Sequence, residues 1–383
     1  MNSRLFNPWD VFVAGGGPAG LATAIAARRH GLSVVVADGA VPPIDKPCGE
    51  GLMPDGVAAL RSLGIAIPHE SYPFRGIRFV SGATQAEAEF PQANAYGMRR
   101  TLLHQVMMER AAACGVNMMW RAAVTGLHPE GALVAGELVR ARWVVGADGA
   151  SSRVRRWANL ESRDFFLHRP TSPSERKLRF AFRNHYHVAP STDFMELHWG
   201  NRSQVYVTPV SRQEICVALI SSSPNQRLRI EDGLAEFPEL RSRLKGAGLT
   251  SSERGAVTLT RKLRRVYRGR TVLVGDASGG VDAITGQGIC LALQQATLLG
   301  DCLASDDLAG YQVSHRALLR RPALMARLLL LMARQPRFRE RTMRIFQSNP
   351  RSFAEMLAIH VGTGSTRDCI SSAIGVGWEL LKA

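Results

Sequence analysis

Residues 11 to 20 read "VFVAGGGPAG" and set Gly15, Gly17 and Gly20 in the spacing G-x-G-x-x-G. That spacing alone is a weak signal, because runs of small residues occur wherever backbones pack closely. Its neighbours decide the reading. Val11, Phe12 and Val13 suit a buried parallel strand, and Leu21 to His30, "LATAIAARRH", is rich in helix formers. Gly31 closes the helix, Leu32 to Ala37 reads as a second buried strand, and Asp38 stands at its end. Strand, glycine turn, helix, strand and acid together make a βαβ unit.

Each residue type has a task in such a unit. Gly15 permits the tight turn, Gly17 lets the main chain approach a pyrophosphate with no Cβ in the way, and Gly20 lets the helix lie close to the strands. Pro18 and Ala19 complete the turn and are expected beside the cofactor, and the helix after it offers free N–H groups and a positive dipole end to the phosphates. Asp38 can accept hydrogen bonds from both hydroxyls of an adenosine ribose, which a 2′-phosphate would prevent. The expected ligand is an unphosphorylated adenine dinucleotide, NAD or FAD.

Residues 272 to 293, "VLVGDASGGVDAITGQGICLAL", separate these two. An apolar strand leads to Gly275-Asp276, a glycine-rich turn, and Gly286-Gln287-Gly288 opening a helix. The stretch resembles the GD motif of FAD enzymes with the p-hydroxybenzoate hydroxylase fold, a superfamily that also contains geranylgeranyl reductases and flavin-dependent halogenases. The resemblance implies that Asp276 binds the ribityl chain. It also implies that the helix beginning at Gly286, Gly288 and Ile289 points its N-terminus at the isoalloxazine ring, stabilising negative charge on reduced flavin.

Further stretches carry the same resemblance. "VVGADGASSRVRR", residues 144 to 156, is similar to the family's DG motif at Asp148, Gly149 and Arg153, which the hydroxylase branch associates with both FAD and NAD(P)H. Arg100 in "RRTLLHQVMMERA" resembles the arginine at the start of a helix beside the cofactor. Val124 in "RAAVTGL" resembles the residue whose backbone contacts adenine. "KPCGEG", residues 46 to 51, is similar to the P-C-G motif of the geranylgeranyl reductase branch, which implies that Cys48 and Gly49 lie beside the flavin. The resemblance covers about the first 310 residues and implies FAD.

The chain also departs from the pattern. Asp282-Ala283 stands where relatives usually have Asp-Pro before the final glycine loop, so the proline that stiffens the turn is missing. The W-x-W-x-I-P motif of halogenases is absent, which argues against halogenation. The segment nearest to it, "SQVYVTPV" from Ser203 to Val210, has no tryptophan and also lacks the Y-x-W-x-F-P pattern of several prenyl reductases.

Composition bounds the remaining possibilities. The 383 residues exceed one ordinary domain core, so two lobes sharing an interface are expected. An apolar fraction of 45% with 21% charged residues is globular. Six scattered cysteines, with no C-x-x-C pair and no metal-ligand spacing, imply a reduced cytoplasmic protein and no metal. The start "MNSRLFNPWD" lacks a basic-then-apolar signal, and no apolar run reaches the length of a membrane span. The formal charge of +16 comes mostly from arginine, yet the basic residues are not interleaved with stacking aromatics, so no nucleic-acid partner is expected. The densest basic stretch runs from His315 to Ile345, with Pro322 and Pro336 expected to divide it into pieces. It reads either as a helical tail packed on the FAD lobe with solvated arginines, or as basic amphipathic helices lying peripherally on the inner surface of an anionic membrane.

The expected fold is α/β. A discontinuous Rossmann-like FAD-binding lobe with a parallel sheet comprises residues 1–75, 97–164 and 255–310; a mainly antiparallel β substrate domain is inserted at 76–96 and 165–254; residues 311–383 form a helical segment. "LRFAFRNHYHV", "FMELHWGN", "SQVYVTPVS" and "EICVALISS" read as the substrate-sheet strands. Reduced flavin can donate hydride to an alkene, or react with oxygen to a C4a-hydroperoxide that transfers an oxygen atom, so no protease-like acid–base motif is required. Cys48 is either a proton donor or a small packing residue. Tyr206 and His198, with Trp199, either line the substrate pocket or pack within the sheet. No second G-x-G-x-x-G exists, so NAD(P)H is expected to bind transiently, unless a partner protein supplies electrons. The expected function is monooxygenation of a hydrophobic or aromatic small metabolite. The alternatives are a reductase or dehydrogenase of carbon–carbon bonds in a prenyl or polyketide-like chain, and a flavin protein that only holds a ligand.

Overall fold

The apolar run at Val11–Val13 becomes the middle of a parallel sheet. In the computed structural model, which describes residues 8–91, 93–161, 179–221, 229–258 and 260–363, the strand Trp9–Ala14 lies between Val34–Asp38 and Glu137–Gly146. Asn117–Trp120 extends the sheet beyond Val34–Asp38, and Thr271–Leu273 extends it beyond Glu137–Gly146, all parallel. Val11, Phe12 and Val13 are fully buried. Burial on both faces is what a continuous β-branched and aromatic run permits, and it contributes roughly 1.5–3 kcal/mol per large side chain. Tyr267–Arg268 turns back antiparallel on one edge, and Val124–His128 and Gly131–Val134 form a meander off Glu137–Gly146.

The helix Pro18–Arg29 follows the glycine turn with Pro18 in its first turn, where a missing N–H costs nothing. It packs against Gly288–Ala304 so closely that a Cβ on Gly300 would lie 2.6 Å from the Cβ of Ala26. The expected βαβ unit is therefore present, and the C-terminal motif folds back beside it.

The second sheet runs in the order 248–249, 179–187, 214–221, 203–211, 194–199, 76–81, 84–89, with Arg254–Thr258 also paired to Arg179–His187. It is antiparallel except where Phe194–Trp199 meets Gly76–Ser81. One face packs on the helical segments Ile230–Gly233 and Pro238–Arg243 through Val205, Val217 and Leu240. The opposite face turns toward the first lobe. A small sheet of Gly51–Leu52, Ala95–Gly97 and Tyr72–Phe74 stands between them, and a Cβ on Gly97 would meet the Pro209 carbonyl oxygen at 1.6 Å.

The C-terminal segment differs from expectation in two respects. Pro322 does not divide it: Leu308–Arg334 is one helix with Pro322 buried inside, and the break falls at Pro336, which starts Pro336–Ser348. A proline removes one N–H, and tertiary packing of the buried face holds the helix across that gap. The shorter helices Pro336–Ser348 and Pro350–His360 pack on the second sheet rather than on the dinucleotide lobe. Phe346 and Phe353 stack with ring centroids 4.7 Å apart, and Phe353 lies 4.6 Å from Phe79. Cys369 lies outside the described residues; Cys48, Cys114, Cys216, Cys290 and Cys302 are free thiols.

Candidate active site

The glycine turn is built as its spacing requires. Gly15 has φ +112°, and a Cβ there would sit 2.5 Å from the Ala147 carbonyl oxygen. A Cβ on Gly20 would sit 1.9 Å from the Gly15 carbonyl oxygen, whereas one on Gly17 would meet nothing within 4 Å. Two of the three glycines thus serve close packing, and Gly17 leaves its ground open at a helix N-terminus. Asp38 stands at the end of its strand, where its carboxylate accepts from Gly16 N at 2.7 Å and Ala40 N at 2.8 Å. Val124 begins the strand Val124–His128, which pairs with Gly131–Val134, and the segment before it is tied to this corner by Ala122 N donating to the Asp38 carbonyl.

His104 was not singled out in the sequence. It is fully buried, and its Nε2 lies 2.8 Å from the Gly16 carbonyl while Ile44 N approaches Nδ1 at 3.5 Å. That pair of partners assigns the Nε2–H tautomer, and burial lowers the ring's pKa, so a neutral histidine braces the glycine turn.

A cavity of about 330 Å³ opens between the lobes and collects the other predicted groups. Gly17, Pro18 and Ala19 reach it from the turn, Cys48 and Gly49 from the loop before Glu50, Arg100 from its helix start, and Asp276, Gly286, Gly288 and Ile289 from the C-terminal motif. Gly286 has φ +65°, and a Cβ on Gly288 would touch nothing within 4 Å, so the N-terminus of Gly288–Ala304 is bare toward the cavity. Asp276 projects into this space; the walls desolvate its carboxylate and push its pKa up, against the pull of Arg100 and Lys46. Gly275, at φ +60°, sits where a Cβ would come within 2.7 Å of the Cβ of Ala19, which joins the two motifs.

The Asp148 motif contributes through its backbone. The Asp148 carboxylate accepts from Arg153 N at 2.7 Å, Val154 N at 3.1 Å and the Ser152 hydroxyl, and so caps the turn Arg153–Trp157. Ala147, Gly149 and Ala150 are what face the cavity. The buried Arg155, missed in the sequence, donates to the carbonyls of Ala150 at 2.8 Å and Ala277 at 3.0 Å and locks this loop to the Asp276 turn.

The Cys48 loop is held by the second sheet. Thr208 Oγ1 donates to the Gly49 carbonyl at 2.7 Å, and the Cys216 thiol approaches the Cys48 carbonyl at 3.6 Å. Burial pushes the Cys48 thiol up, so its proton stays on sulfur at neutral pH. Glu50, at φ +58°, accepts from Arg100 N at 2.9 Å and from His185 Nε2 at 2.6 Å. His185 Nδ1 faces Ser251 Oγ at 2.7 Å and the Arg183 guanidinium at 3.1 Å, and Arg183 pairs with Asp45. Glu50, His185 and Cys216 offer ligand-type atoms within 4.8 Å of one another. Glu50 and His185 are hydrogen-bonded to each other, while the Cys216 thiol, pushed well up by burial, reaches the Cys48 carbonyl, so the three together brace the Cys48 loop.

Tyr206 lines the cavity with Ala181, Phe182, Met195, Ala218 and Ile220. Its hydroxyl donates to the Ile284 carbonyl and burial raises its pKa, so the ring is wall and the proton is committed. His198 is not brought to the cavity. Tyr206 pairs with Leu197, so the alternation puts His198 on the other face, 3.1 Å from Glu196. Trp199 is buried, edge-on to Phe79 at 5.5 Å. Asp282, in place of the usual Asp-Pro, caps Ile284 N at 3.0 Å and forms a buried ion pair with Arg179 at 2.5 Å, which ties the glycine loop to the second sheet. A second depression, about 690 Å³ around Ile67 and Tyr96, shares no residue with this cavity.

An FAD fits these residues on two independent observations. A bare glycine ground lies before each of two helix N-termini, and Arg100 Nε is buried at the cavity with no partner among the described residues.

Comparison with known proteins agrees. Over 335 residues the chain is 29% identical to a menaquinone reductase of Mycobacterium tuberculosis, covering 78% of each. Over 333 residues it is 29% identical to the ubiquinone hydroxylase UbiL of Rhodospirillum rubrum, covering 81% of this chain and 76% of the other. Among solved structures, the flavin-dependent brominase Bmp2 superposes with a TM-score of 0.79 at 18% identity, covering 98% of this chain and all of the other, which establishes likeness of fold. Residues 8–310 match the family described as "FAD binding domain". The chain belongs to that family and is an FAD-dependent oxidoreductase of the p-hydroxybenzoate hydroxylase fold superfamily.

Proposed function

We propose that the protein is an FAD-dependent monooxygenase of a hydrophobic or aromatic small metabolite, with NAD(P)H as transient reductant. The observation that carries this reading is one cavity with two unlike walls. One wall is glycine turns and helix N-termini suited to a phosphate-bearing, anionic cofactor; the other is Ala181, Phe182, Met195, Ala218 and Ile220, suited to an apolar ring or chain. When bound, FAD supplies the redox chemistry. The chain does the rest: the turn at Gly17 binds pyrophosphate, Asp38 orients ribose, Arg100 and Asp276 hold the chain between, and the N-terminus at Gly288 stabilises negative charge at the ring. The apolar wall positions the substrate and excludes water.

Cys48 favours a second reading, reduction of a carbon–carbon double bond in a prenyl or polyketide-like chain. Saturation adds hydride to one carbon and a proton to the other, and the Cys48 thiol is a protonated group on the cavity wall. Two relatives bear quinone names, one a reductase and one a hydroxylase, so the test must separate the chemistries. Purified protein is given NADH or NADPH with hydrophobic candidates, and oxygen uptake is followed. Substrate-stimulated oxygen uptake with an oxygenated product is the expected result. NAD(P)H consumption without oxygen uptake, with anaerobic saturation slowed about a hundredfold in Cys48→Ala, overturns it in favour of the reductase. Flavin reduced only by a partner protein would replace NAD(P)H as donor.

A further inference from the structure

The long helix Leu308–Arg334 has two apolar faces, and only one is covered. Tyr311, Met325, Leu329 and Met332 point inward and are buried. On the other side, Val313, Leu324 and Leu331 are 67%, 63% and 37% exposed. At about 100° per residue these three fall on one line, and Arg320, Arg327 and Arg334 fall within about 60° of it. The stripe is about 30 Å long at ~1.5 Å per residue. The helix contains no aspartate or glutamate. Arg320, Arg327 and Arg334 are exposed, with no ion pair or hydrogen bond among the described residues. Pro336–Ser348 continues the positive charge with exposed Arg337, Arg341 and Arg344 against one Glu340.

Isolated exposed leucines need no explanation, and a merely solvated helix face carries both signs of charge. A line of aliphatic side chains interleaved with unpaired arginines, without acids, is instead the make-up of a helix lying in a membrane interface. We propose that this face docks on the surface of an anionic lipid bilayer, with Leu324 and Leu331 in the acyl boundary and the arginine stems lying along it, their guanidiniums on lipid phosphates. Nucleic acid would satisfy the arginines but would leave the leucines in water. No helix of the described residues is long and apolar enough to cross a membrane, so the contact is peripheral. This inference does not depend on which reaction the flavin performs.

The test is vesicle flotation of the full-length, FAD-loaded protein with phosphatidylglycerol–phosphatidylcholine vesicles, pure phosphatidylcholine vesicles, and a short DNA duplex as competitor. Co-flotation with the anionic vesicles, weakening with salt, is expected. At about fivefold in partition per basic side chain, Arg320→Glu/Arg327→Glu/Arg334→Glu should lose on the order of a hundredfold or more. Leu324→Asp should also weaken binding, with flavin content and melting midpoint unchanged, since Leu324 is mostly exposed and the three arginines are on the surface. Absence of vesicle binding, equal binding by the leucine variant, or displacement of the vesicles by the duplex overturns the proposal.

Discussion

Gly17 and Gly20 lie three positions apart in one turn, yet the structure predicts opposite consequences for the same substitution. Gly20→Ala drives a Cβ to 1.9 Å from the Gly15 carbonyl, a backbone clash that the start of the helix must absorb. Its cost is about 1–3 kcal/mol in the apoprotein, read as a lower midpoint in urea. Gly17→Ala meets nothing within 4 Å, so apoprotein stability holds while the new methyl stands where the pyrophosphate is expected. FAD titration should then show affinity falling at least tenfold, and undiminished affinity in Gly17→Ala would remove the phosphate role from this turn. At this scale the sequence is legible where structure depends on neighbours in the chain. Gly15, Gly17, Gly20 and Asp38 could be brought to one corner from spacing, because the turn and its acid are one βαβ unit. Glu50, His104 and Arg155 could not. Their partners are His185, Gly16 and Ala277, each scores of residues away, and only the folded chain brings them together.

Among elements, the loop from Asp282 to Gly288 shows a motif departure compensated by the fold. The missing proline would have stiffened the turn; here the buried pair Arg179–Asp282 joins the loop to a strand of the second sheet, with side chains 4% and 6% exposed. Arg179→Met should therefore cost about 3–5 kcal/mol, because it strands a buried carboxylate. Arg179→Met/Asp282→Asn should recover most of that loss, since asparagine keeps the cap on Ile284 N and carries no charge. Urea unfolding of the two variants and wild type measures the coupling, and equal losses in the single and double variant would show that the pair does not hold the loop. The strand at Ser203–Ser211 was readable from β-branched alternation, and it forms as expected. His198 shows what alternation withholds: which face points to the cavity follows from pairing Leu197 with Tyr206, a register set by contacts across strands. Pro322 was misread for a related reason, since the buried face of a long helix outweighs one lost hydrogen bond.

For the molecule as a whole, two histidines connect the C-terminal helices to the candidate cofactor loops. His315 Nε2 lies 2.9 Å from Ser278 Oγ, beside the Asp276 turn, and the His360 carbonyl accepts from Gln287 Nε2 at 2.6 Å, beside the Gly288 helix start. Burial pushes both rings down to about 4 from an ordinary 6.5, with Arg316 adding to the effect on His315. Both rings are therefore neutral in the folded protein. Between those values the unfolded chain binds more protons than the folded one, so the stability they contribute is complete above pH 6.5 and declines as pH falls toward 4. Glu196 acts in a lower window. Burial raises its pKa, but hydrogen bonds from His198 and Arg243 outweigh that and hold it at about 2, so its contribution is lost only below about 4.5. Denaturation midpoints followed from pH 7.5 to 4.5 should fall, with FAD release accelerating over the same range because the two titrating rings adjoin Ser278 and Thr285. His315→Gln/His360→Gln keeps polar side chains there without the titration and should flatten the profile above pH 4.5. An unchanged slope in that variant would place the acid sensitivity in groups other than these two rings.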